Sequence, residues 1–377
     1  MSSKAPKATI FATGFPGFIG KRLIARMAVL RRHDAFRLLV EPKRAAEARR
    51  IIQSFPRPTR FEILEGDVTD MHLGLAGAEY ARLCDEATEI WHLAAVSYLG
   101  VQRETARRVN IEGTRNVLEL GRDCRGLTKI VHFSSAFVSG LRQGVVCEDE
   151  LDARQSFRSA YEESKYQAEQ LARRASKDLP TLILRPSIVV GDSRTGEIDR
   201  LEGPYYLSVL LVTSPLAVPL PLPGEGVAPL HVVPVDFVVE AALAIARDPR
   251  AIGRTFHLVD PSPMSSRRVY EMIAALVNRK APKVSVPLRA AEVLLRVPVL
   301  ERLARPQRAA LAYLNSLVFY NCQNTLELLE GAELRCPPIA TYLPKLVEFA
   351  RAYYRRRRDD TASVDDPLDL PPGRASS

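Results

Sequence analysis

Short apolar runs alternate with amphipathic segments along most of the chain. The runs that predict buried strands cover residues 8–12, 36–40, 61–68, 89–95, 129–135, 181–191 and 256–260. Between them, apolar positions recur with helical spacing, as in residues 21–32 and 109–123. Unalternating strands separated by helices are typical of a parallel sheet that is covered on both faces. With right-handed crossovers, the pattern predicts an α/β fold built on a Rossmann-type doubly wound parallel sheet.

The pattern changes after Gly191. Residues 203–230 are rich in proline, which predicts an irregular loop. Helical periodicity returns in the segments 265–279, 288–318 and 339–358. The residues that follow, 359–377, have little apolar content and predict a disordered tail.

These changes predict two regions of unequal size. We expect a Rossmann domain over residues 1–200 and a smaller, mostly helical substrate-binding region over residues 201–358. Residues 231–260 lie within the second region, but they end in a strand-like run. We therefore expect residues 231–260 to return to the Rossmann sheet.

Composition places the chain among globular proteins. It has 377 residues, of which 46% are hydrophobic and 26% are charged. It has no uninterrupted apolar run of about 18 residues, the length that a membrane-spanning helix needs. Residues Met1–Lys7 are polar and lack the apolar core of a signal peptide, so we expect a cytoplasmic location. The five cysteines are scattered without a CxxC pair, which predicts reduced thiols and no metal site.

The net charge of +9 would suit nucleic acid, a membrane surface or an anionic substrate. Most arginines are scattered over predicted helix faces, and Arg355–Arg358 end a predicted helix, where cations complement the dipole. We therefore predict no nucleic-acid binding. The apolar stretch Leu288–Leu317 carries several arginines, and it suits either a core-packed helix or peripheral membrane contact. No oligomeric state is predicted.

A glycine-rich turn joins the first predicted strand to the first predicted helix. Gly14 allows a tight turn, Gly17 lets the backbone approach a phosphate, and Gly20 lets helix and strand pack closely. The helix N-terminus then offers free N–H groups to a pyrophosphate. The predicted cofactor-binding residues of this turn are Thr13, Gly14, Phe15, Pro16, Gly17, Phe18, Ile19 and Gly20.

The end of the second predicted strand carries opposing signals for the choice of cofactor. Glu41 lies about 20 residues beyond the glycines, where an acid binds the adenosine ribose hydroxyls of NAD. Lys43 and Arg44 follow, and such cations can bind the 2′-phosphate of NADP. We include all three as cofactor-binding candidates and favour NADP(H) over NAD(H).

Tyr161 and Lys165 are four residues apart in a predicted helix and so share one face. An ammonium group near a phenol lowers the pKa of the phenol, so such a tyrosine can exchange a proton with a carbonyl oxygen. Ser134 and Ser135 end a buried strand at its carboxyl end, where open α/β sheets bind ligands. A serine hydroxyl there can hydrogen-bond the substrate oxygen.

These motifs resemble the extended short-chain dehydrogenase/reductase family over residues 8–260. TGFPGFIG is similar to that family's TGxxGxxG, YEESK to its YxxxK, and HLAA, VNIEGTRNVLEL, SSAFVSG and LRPSIVVG to its other motifs. The resemblance implies Tyr161, Lys165, Ser135 and Asn110 as catalytic residues, with Asn110 supporting a proton relay, and Lys165 also binding the nicotinamide ribose. It implies further cofactor contacts at Asp67, Val68, Leu93, Ala94, Ala95, Ser134, Pro186, Ser187 and Ile188, besides Tyr161 and Lys165.

Within that family the chain resembles the thioester-reductase and fatty acyl-CoA reductase branch. The similar segments are FPGFIGKRL, RPSIVVGDSRTGEIDRLEGPYY, HVVPVDFVV and the C-terminal FYNCQNT. The branch implies reduction of a lipid-like acyl thioester or aldehyde, with the acyl group carried on coenzyme A or a carrier protein. Apolar residues between Tyr205 and Val212 suit such a substrate, although they equally suit a protein core. Branch members often carry arginine where this chain has Glu41.

Other functions fit the same motifs. A hydroxysteroid or 3-keto lipid dehydrogenase would use the same proton donor. A nucleotide-sugar epimerase would as well, and it would retain NAD tightly through purification. A redox-sensing NAD(P)-binding regulator is the non-enzymatic alternative, but such regulators usually lack the tyrosine or the lysine, whereas Tyr161 and Lys165 are both present here.

Overall fold

A computed structural model gives the fold of the chain. It describes residues 8–98, 100–199, 222–223, 225–280, 285–286 and 316–360. Most of the proline-rich segment 203–230 and of the predicted helix 288–318 therefore lies outside the described residues.

A seven-stranded parallel sheet forms the centre of the molecule. In chain order, its strands are β1 (Thr9–Thr13), β2 (Ala35–Val40), β3 (Phe61–Glu65), β4 (Glu89–His92), β5 (Lys129–Phe133), β7 (Thr181–Pro186) and β11 (Thr255–Leu258). Their order across the sheet is 3-2-1-4-5-7-11, with β1 paired to both β2 and β4. The strand order reverses beside β1, so the carboxyl ends of β1 and β4 border a crevice. The predicted doubly wound fold is confirmed.

Helices cover both faces of this sheet because strand side chains alternate between the faces. One face carries α1 (Phe18–Leu30), α2 (Ala45–Gln53) and α7 (Val235–Arg247). The other face carries α3 (Gly77–Glu86), α5 (Gly113–Asp123) and α6 (Ala160–Ala175). On β1, Ile10 and Ala12 pack with the first set and Phe11 packs with the second. A short helix, α4 (Arg103–Ala106), and a π-helical turn over Arg107–Glu112 lead into α5.

Two-stranded parallel sheets flank the central one. They pair β6 (Gly144–Val146) with β13 (Val318–Tyr320), β8 (Ile188–Val190) with β10 (Val232–Pro234), and β9 (Leu222–Pro223) with β12 (Ser285–Val286). Two further helices, α8 (Ser266–Leu276) and α10 (Ile339–Asp360), pack together over the strands β8 and β10. The remaining helix, α9 (Gln323–Glu330), inserts Leu328 and Leu329 into the core on the α7 face of the central sheet.

The structure corrects several predicted boundaries. The run 181–191 is not one strand, because the chain bends at Ser187 and β8 leaves the central sheet to pair with β10. The predicted strands 61–68, 89–95 and 129–135 end early, at Glu65, His92 and Phe133. The predicted helix 288–318 is wrong at its end, where Val318 opens strand β13. Helix α10 extends to Asp360, into the first residues of the predicted disordered tail.

The described residues contain no helix that is long and apolar enough to cross a bilayer. They also contain no cluster of histidine, cysteine and acidic side chains that could hold a metal ion. The stretch Leu288–Leu317, on which the membrane hypothesis depended, is described only at Ser316 and Leu317.

Candidate active site

The glycine turn connects β1 to α1 with almost no room for side chains. Gly14 has a φ of +82°, and a Cβ atom on it would lie 2.7 Å from the carbonyl carbon of Leu93. A Cβ atom on Gly20 would lie 2.5 Å from the oxygen of Gly14. Gly17 is the N-cap of α1, and no side chain caps its first N–H groups. This cradle of close backbone and free helix N–H groups fits the pyrophosphate of a dinucleotide.

A buried chain of hydrogen bonds ties this turn to the segment after β4. The Oγ1 atom of Thr114 donates to the main-chain oxygen of Asn110, so it accepts from Nε2 of His92 at 3.0 Å. The other ring nitrogen, Nδ1, then accepts from the Thr13 hydroxyl at 2.8 Å. The N–H groups of Leu93 and Ala94 donate to Thr13 Oγ1. Burial and the nearby Lys165 lower the pKa of His92 to about 3, which keeps the ring neutral.

The residues after β2 differ in their access to the glycine turn. Lys43 is 76% exposed and forms an ion pair with Glu41 at 2.5 Å. Arg44 is half-buried, pairs with Glu47, and donates from Nη2 to the main-chain oxygen of Pro16 at 3.4 Å. A cation therefore lies against the glycine turn, whereas the Glu41 carboxylate is held by Lys43.

Asp67 lies in the loop that follows β3. Its carboxylate accepts the N–H of Thr69 at 2.8 Å, and its own N–H donates to the oxygen of Leu73. Leu73 is fully buried although its φ is +61°, so the surrounding packing holds a strained backbone here. The Nδ2 atom of Asn116 donates to the oxygen of the buried Val68 at 2.8 Å. The loop is thus fixed at the carboxyl edge of the sheet, on the β3 side of the glycine turn.

Asn110 lies in the π-helical turn, a distortion that often marks functional sites. Its carboxamide makes two bonds to Val96, accepting the N–H at 2.9 Å and donating to the oxygen at 3.1 Å. It also donates to the Ser164 hydroxyl at 2.9 Å. Asn110 therefore anchors the segment after β4, which includes Leu93, Ala94 and Ala95, to helix α6. Its predicted part in a proton relay stays a prediction.

The two serines after β5 point to different surroundings. The Ser134 hydroxyl donates to the buried Glu169 at 2.6 Å. Ser135 begins a short 3₁₀ turn, and its Oγ accepts the N–H of Phe137 at 3.2 Å. Because the Ser135 hydroxyl is an acceptor in that bond, its own hydrogen can still be donated to a ligand.

Tyr161 and Lys165 lie one turn apart in the first half of α6. Ser159 caps this helix by accepting the N–H of Glu162. Lys165 is buried, and its Nζ donates to the oxygen of Phe133, the last residue of β5, at 2.5 Å. Burial lowers the pKa of Lys165 to about 8, against the opposing attraction of Glu169. The structure thus brings Lys165 to the strand end that carries Ser135.

Pro186, Ser187 and Ile188 form the bend between β7 and β8. The Ser187 N–H donates to the oxygen of Leu258, which holds the bend against β11. The Ser187 hydroxyl is buried and has no hydrogen-bond partner among the described residues. A buried hydroxyl without a protein partner fits a site that is completed by a bound ligand.

Behind the serines lies a set of buried polar residues that the sequence motifs did not predict. Glu169 and Arg185 are both fully buried and hydrogen-bonded to each other at 2.6 Å. Two signals could have revealed them. Arg185 is a single charge within the apolar strand TLILRP, and Glu169 lies four residues after Lys165 on the same helix.

Comparisons with known proteins point to one family. The family model described as male sterility protein, an NAD-binding family, matches residues 12–242. The chain is 27% identical over 281 residues to the fatty acyl-CoA reductase wat of Drosophila melanogaster, covering 63% of this chain and 54% of that protein. It is 28% identical over 274 residues to the aldehyde reductase lnbA of Aspergillus flavus, covering 67% of this chain and 26% of that protein. The chain thus spans about half the length of the Drosophila relative and about a quarter of the length of the Aspergillus relative.

Solved structures agree with this relationship. The terminal R domain from the myxalamid PKS-NRPS biosynthetic pathway superposes with a TM-score of 0.78 at 26% identity, covering 93% of this chain and 92% of that one. A UDP-glucuronic acid 4-epimerase from Bacillus cereus superposes with a TM-score of 0.66 at 19% identity, covering 92% and 99%, which shows a shared fold alone. The match over residues 12–242 and the R-domain likeness confirm the predicted resemblance: the chain belongs to the male sterility protein family and is an NAD(P)-binding protein of the extended short-chain dehydrogenase/reductase type.

Proposed function

We propose that this protein is an NADPH-dependent reductase of a lipid-like acyl thioester or of the corresponding aldehyde. The observation that carries the proposal is the buried Lys165, which binds the last residue of β5 and lies one helical turn from Tyr161. That strand end also presents Ser135. The resemblance to a fatty acyl-CoA reductase, an aldehyde reductase and an R domain supports the substrate class.

Each proposed catalytic residue has a separate task. When bound, the reduced nicotinamide supplies a hydride to the carbonyl carbon of the substrate. Ser135 donates a hydrogen bond to the carbonyl oxygen, and the Tyr161 hydroxyl gives that oxygen a proton as negative charge develops. The Lys165 ammonium stabilises the resulting phenolate and binds the nicotinamide ribose. Asn110 holds the segment after β4 against α6 and supports reprotonation.

A thioester substrate requires one further step. Hydride addition and protonation give a hemithioacetal, whose carbon–sulfur bond then breaks. The hydroxyl of the hemithioacetal loses its proton, the sulfur leaves as a thiolate and takes up a proton, and an aldehyde remains. A second hydride and proton would convert the aldehyde to an alcohol. We propose that coenzyme A or a carrier protein delivers the acyl group.

The preference for NADPH rests on the residues after β2. Arg44 borders the glycine turn, and Lys43 neutralises Glu41. With the Glu41 carboxylate held by Lys43, the Arg44 guanidinium favours a 2′-phosphate over free hydroxyls at the adenosine ribose. We also propose that residues 1–200 provide the cofactor site, with 201–358 contributing most of the substrate site.

The test is the oxidation of NADPH and NADH with a long-chain acyl-CoA and with the matching aldehyde. Tyr161→Phe is expected to lower kcat at least 100-fold, in the range that general acid catalysis contributes. Tyr166→Phe is the matched control, since Tyr166 lies on the same helix and its hydroxyl accepts a hydrogen bond from Gln170. This control should keep wild-type turnover. Protein that binds NADPH but turns over neither substrate would overturn the proposal, and retained NAD in purified protein would indicate an epimerase.

A further inference from the structure

One buried carboxylate contacts three elements that form the candidate site. Glu169 is fully buried on α6, one turn after Lys165. It accepts hydrogen bonds from Ser134 Oγ at 2.6 Å, from Arg185 Nη2 at 2.6 Å and from Arg173 Nε at 2.9 Å. Ser134 follows β5 directly, and Arg185 is the penultimate residue of β7, just before the bend at Ser187. The carboxylate thus joins the ends of two strands to the helix that carries Tyr161 and Lys165.

Stability alone does not explain this arrangement. Burying a carboxylate and a guanidinium removes strong hydration, and replacing such a pair by apolar residues is often neutral or stabilising. Arg185 is also costly in its own strand, where Leu182, Ile183 and Leu184 are buried apolar neighbours. A buried pair of this kind is better explained by the geometry and charge that it gives to its surroundings.

One of the groups that Glu169 contacts, Ser134, is covalently joined to the proposed site. Ser134 is adjacent to Ser135, and the preceding residue, Phe133, accepts the hydrogen bond from Lys165. We propose that Glu169 is a positioning residue, which fixes the β5 end that presents Ser135 and supplies the negative charge that faces Lys165. This inference rests on the roles proposed above for Ser135 and Lys165.

The other titratable groups named around Lys165 carry no negative charge near pH 7. His92 on β4 and His132 on β5 face it from the sheet, and burial lowers the pKa of both, so both are neutral near pH 7. Tyr161 lies beside it on α6. Arg185 and Arg173 are both hydrogen-bonded to Glu169. Loss of the Glu169 charge should therefore lower the pKa of Lys165 below its value of about 8.

The experiment measures two properties against pH from 6 to 10. The first is the dissociation constant of NADPH, followed by its fluorescence, and the second is kcat/KM for the acyl-CoA or aldehyde. In wild type, the dissociation constant should rise and kcat/KM should fall above about pH 8, as Lys165 loses its proton. The part of each profile in which binding or activity is lost at high pH is its alkaline limb. In Glu169→Gln this limb should move to lower pH by about one pH unit, the size of effect expected from one nearby charge. NADPH affinity reports on Lys165 even if neither substrate is turned over, so failure of the proposed function is recognised separately.

Two further variants separate charge from folding. The double variant Glu169→Leu with Arg185→Met removes the pair without leaving either charge unpaired, and it should also move the limb to lower pH. Arg173→Met keeps the carboxylate and removes its outer partner, whose side chain is 27% exposed and also donates to the main-chain oxygens of Glu148 and Asp149. This control should not move the limb to lower pH.

The proposal is overturned by any of three results. The first is a wild-type profile that is flat to pH 9.5. The second is a limb that stays in place when Glu169 is replaced, or that moves to lower pH in Arg173→Met as well. The third is failure of both Glu169 variants to fold while Arg173→Met folds, which would assign the pair to folding alone.

Discussion

Arg44 reaches from the end of β2 to the glycine turn, where its Nη2 atom donates a hydrogen bond to the main-chain oxygen of Pro16 at 3.4 Å. Its Nε and Nη2 atoms also pair with Glu47 of α2. The Glu47 carboxylate holds the guanidinium at the turn before any ligand arrives. This contact joins the glycine turn, the proposed pyrophosphate site, to the segment after β2 that we propose to face the adenosine ribose.

Arg44→Ala should weaken the use of NADPH far more than that of NADH. Loss of one charge-assisted bond to a phosphate costs about 1.5–3 kcal/mol, which corresponds to roughly 10- to 160-fold in KM. The measurement is KM for both cofactors with one fixed substrate. The KM for NADPH should rise at least 10-fold, and the KM for NADH should change less than twofold.

Arg50→Ala is the matched control, because Arg50 lies on the exposed face of α2. It removes the same charge from a position six residues further along the chain and should leave both KM values unchanged. Equal losses for NADPH and NADH in Arg44→Ala would show that Arg44 merely supports the turn. A wild-type enzyme that prefers NADH would exclude the 2′-phosphate assignment.

The central fold was predictable because its signals are local. Each strand of the sheet is a short apolar run, and the glycine turn needs only eight consecutive residues to define it. The bend at Ser187 was not predictable from hydrophobicity, since apolar residues stand on both sides of it, at Leu182–Leu184 and at Ile188–Val190. What separates β7 from β8 is their pairing with different strands, which depends on residues 232–234 and 255–258.

The site was only partly predictable for the same reason. The spacing of Tyr161 and Lys165 is a local signal, whereas the contacts that support them are distant in sequence. Glu148, which no motif marks, binds the N–H groups of Asn324 and Thr325 at the start of α9. Such contacts emerge only when the chain is folded, because each requires burial of a charge whose partner is far along the sequence.

Three of the four buried histidines have a pKa so far below its usual range that they should make the protein sensitive to mild acid. Burial is the main cause that lowers the pKa of His92 and His257 to about 3 and that of His132 well below its usual range. Unfolded histidines bind protons below about pH 6.5. The stability contributed by the neutral rings is therefore complete above that pH and is lost as the pH falls towards 3. Urea titrations should show the free energy of unfolding falling by about 4 kcal/mol between pH 8 and pH 5.5.

His132→Leu should reduce this pH dependence by about a third, since it removes one of the three rings. The substitution suits the site, because Nε2 of His132 is buried without a hydrogen-bond partner in the described part of the chain. His33→Gln is the control, as His33 is exposed after α1, and it should leave the slope unchanged. An unchanged slope in His132→Leu would mean that this ring is protonated in the folded protein.

Leu329→Ala should destabilise the whole protein, although it lies near the end of the chain. Leu329 is 2% exposed and packs in the core beneath the central sheet, with side chains of α1 and α7. Removing its buried methyl groups should cost about 3 kcal/mol, as measured by urea unfolding. Leu326→Ala, on the same helix but 42% exposed, should cost less than about 1 kcal/mol.

We expect one cooperative transition in both variants, because α9 shares a core with the sheet. A separate early transition in Leu329→Ala would instead mean that the C-terminal region unfolds independently of the Rossmann sheet.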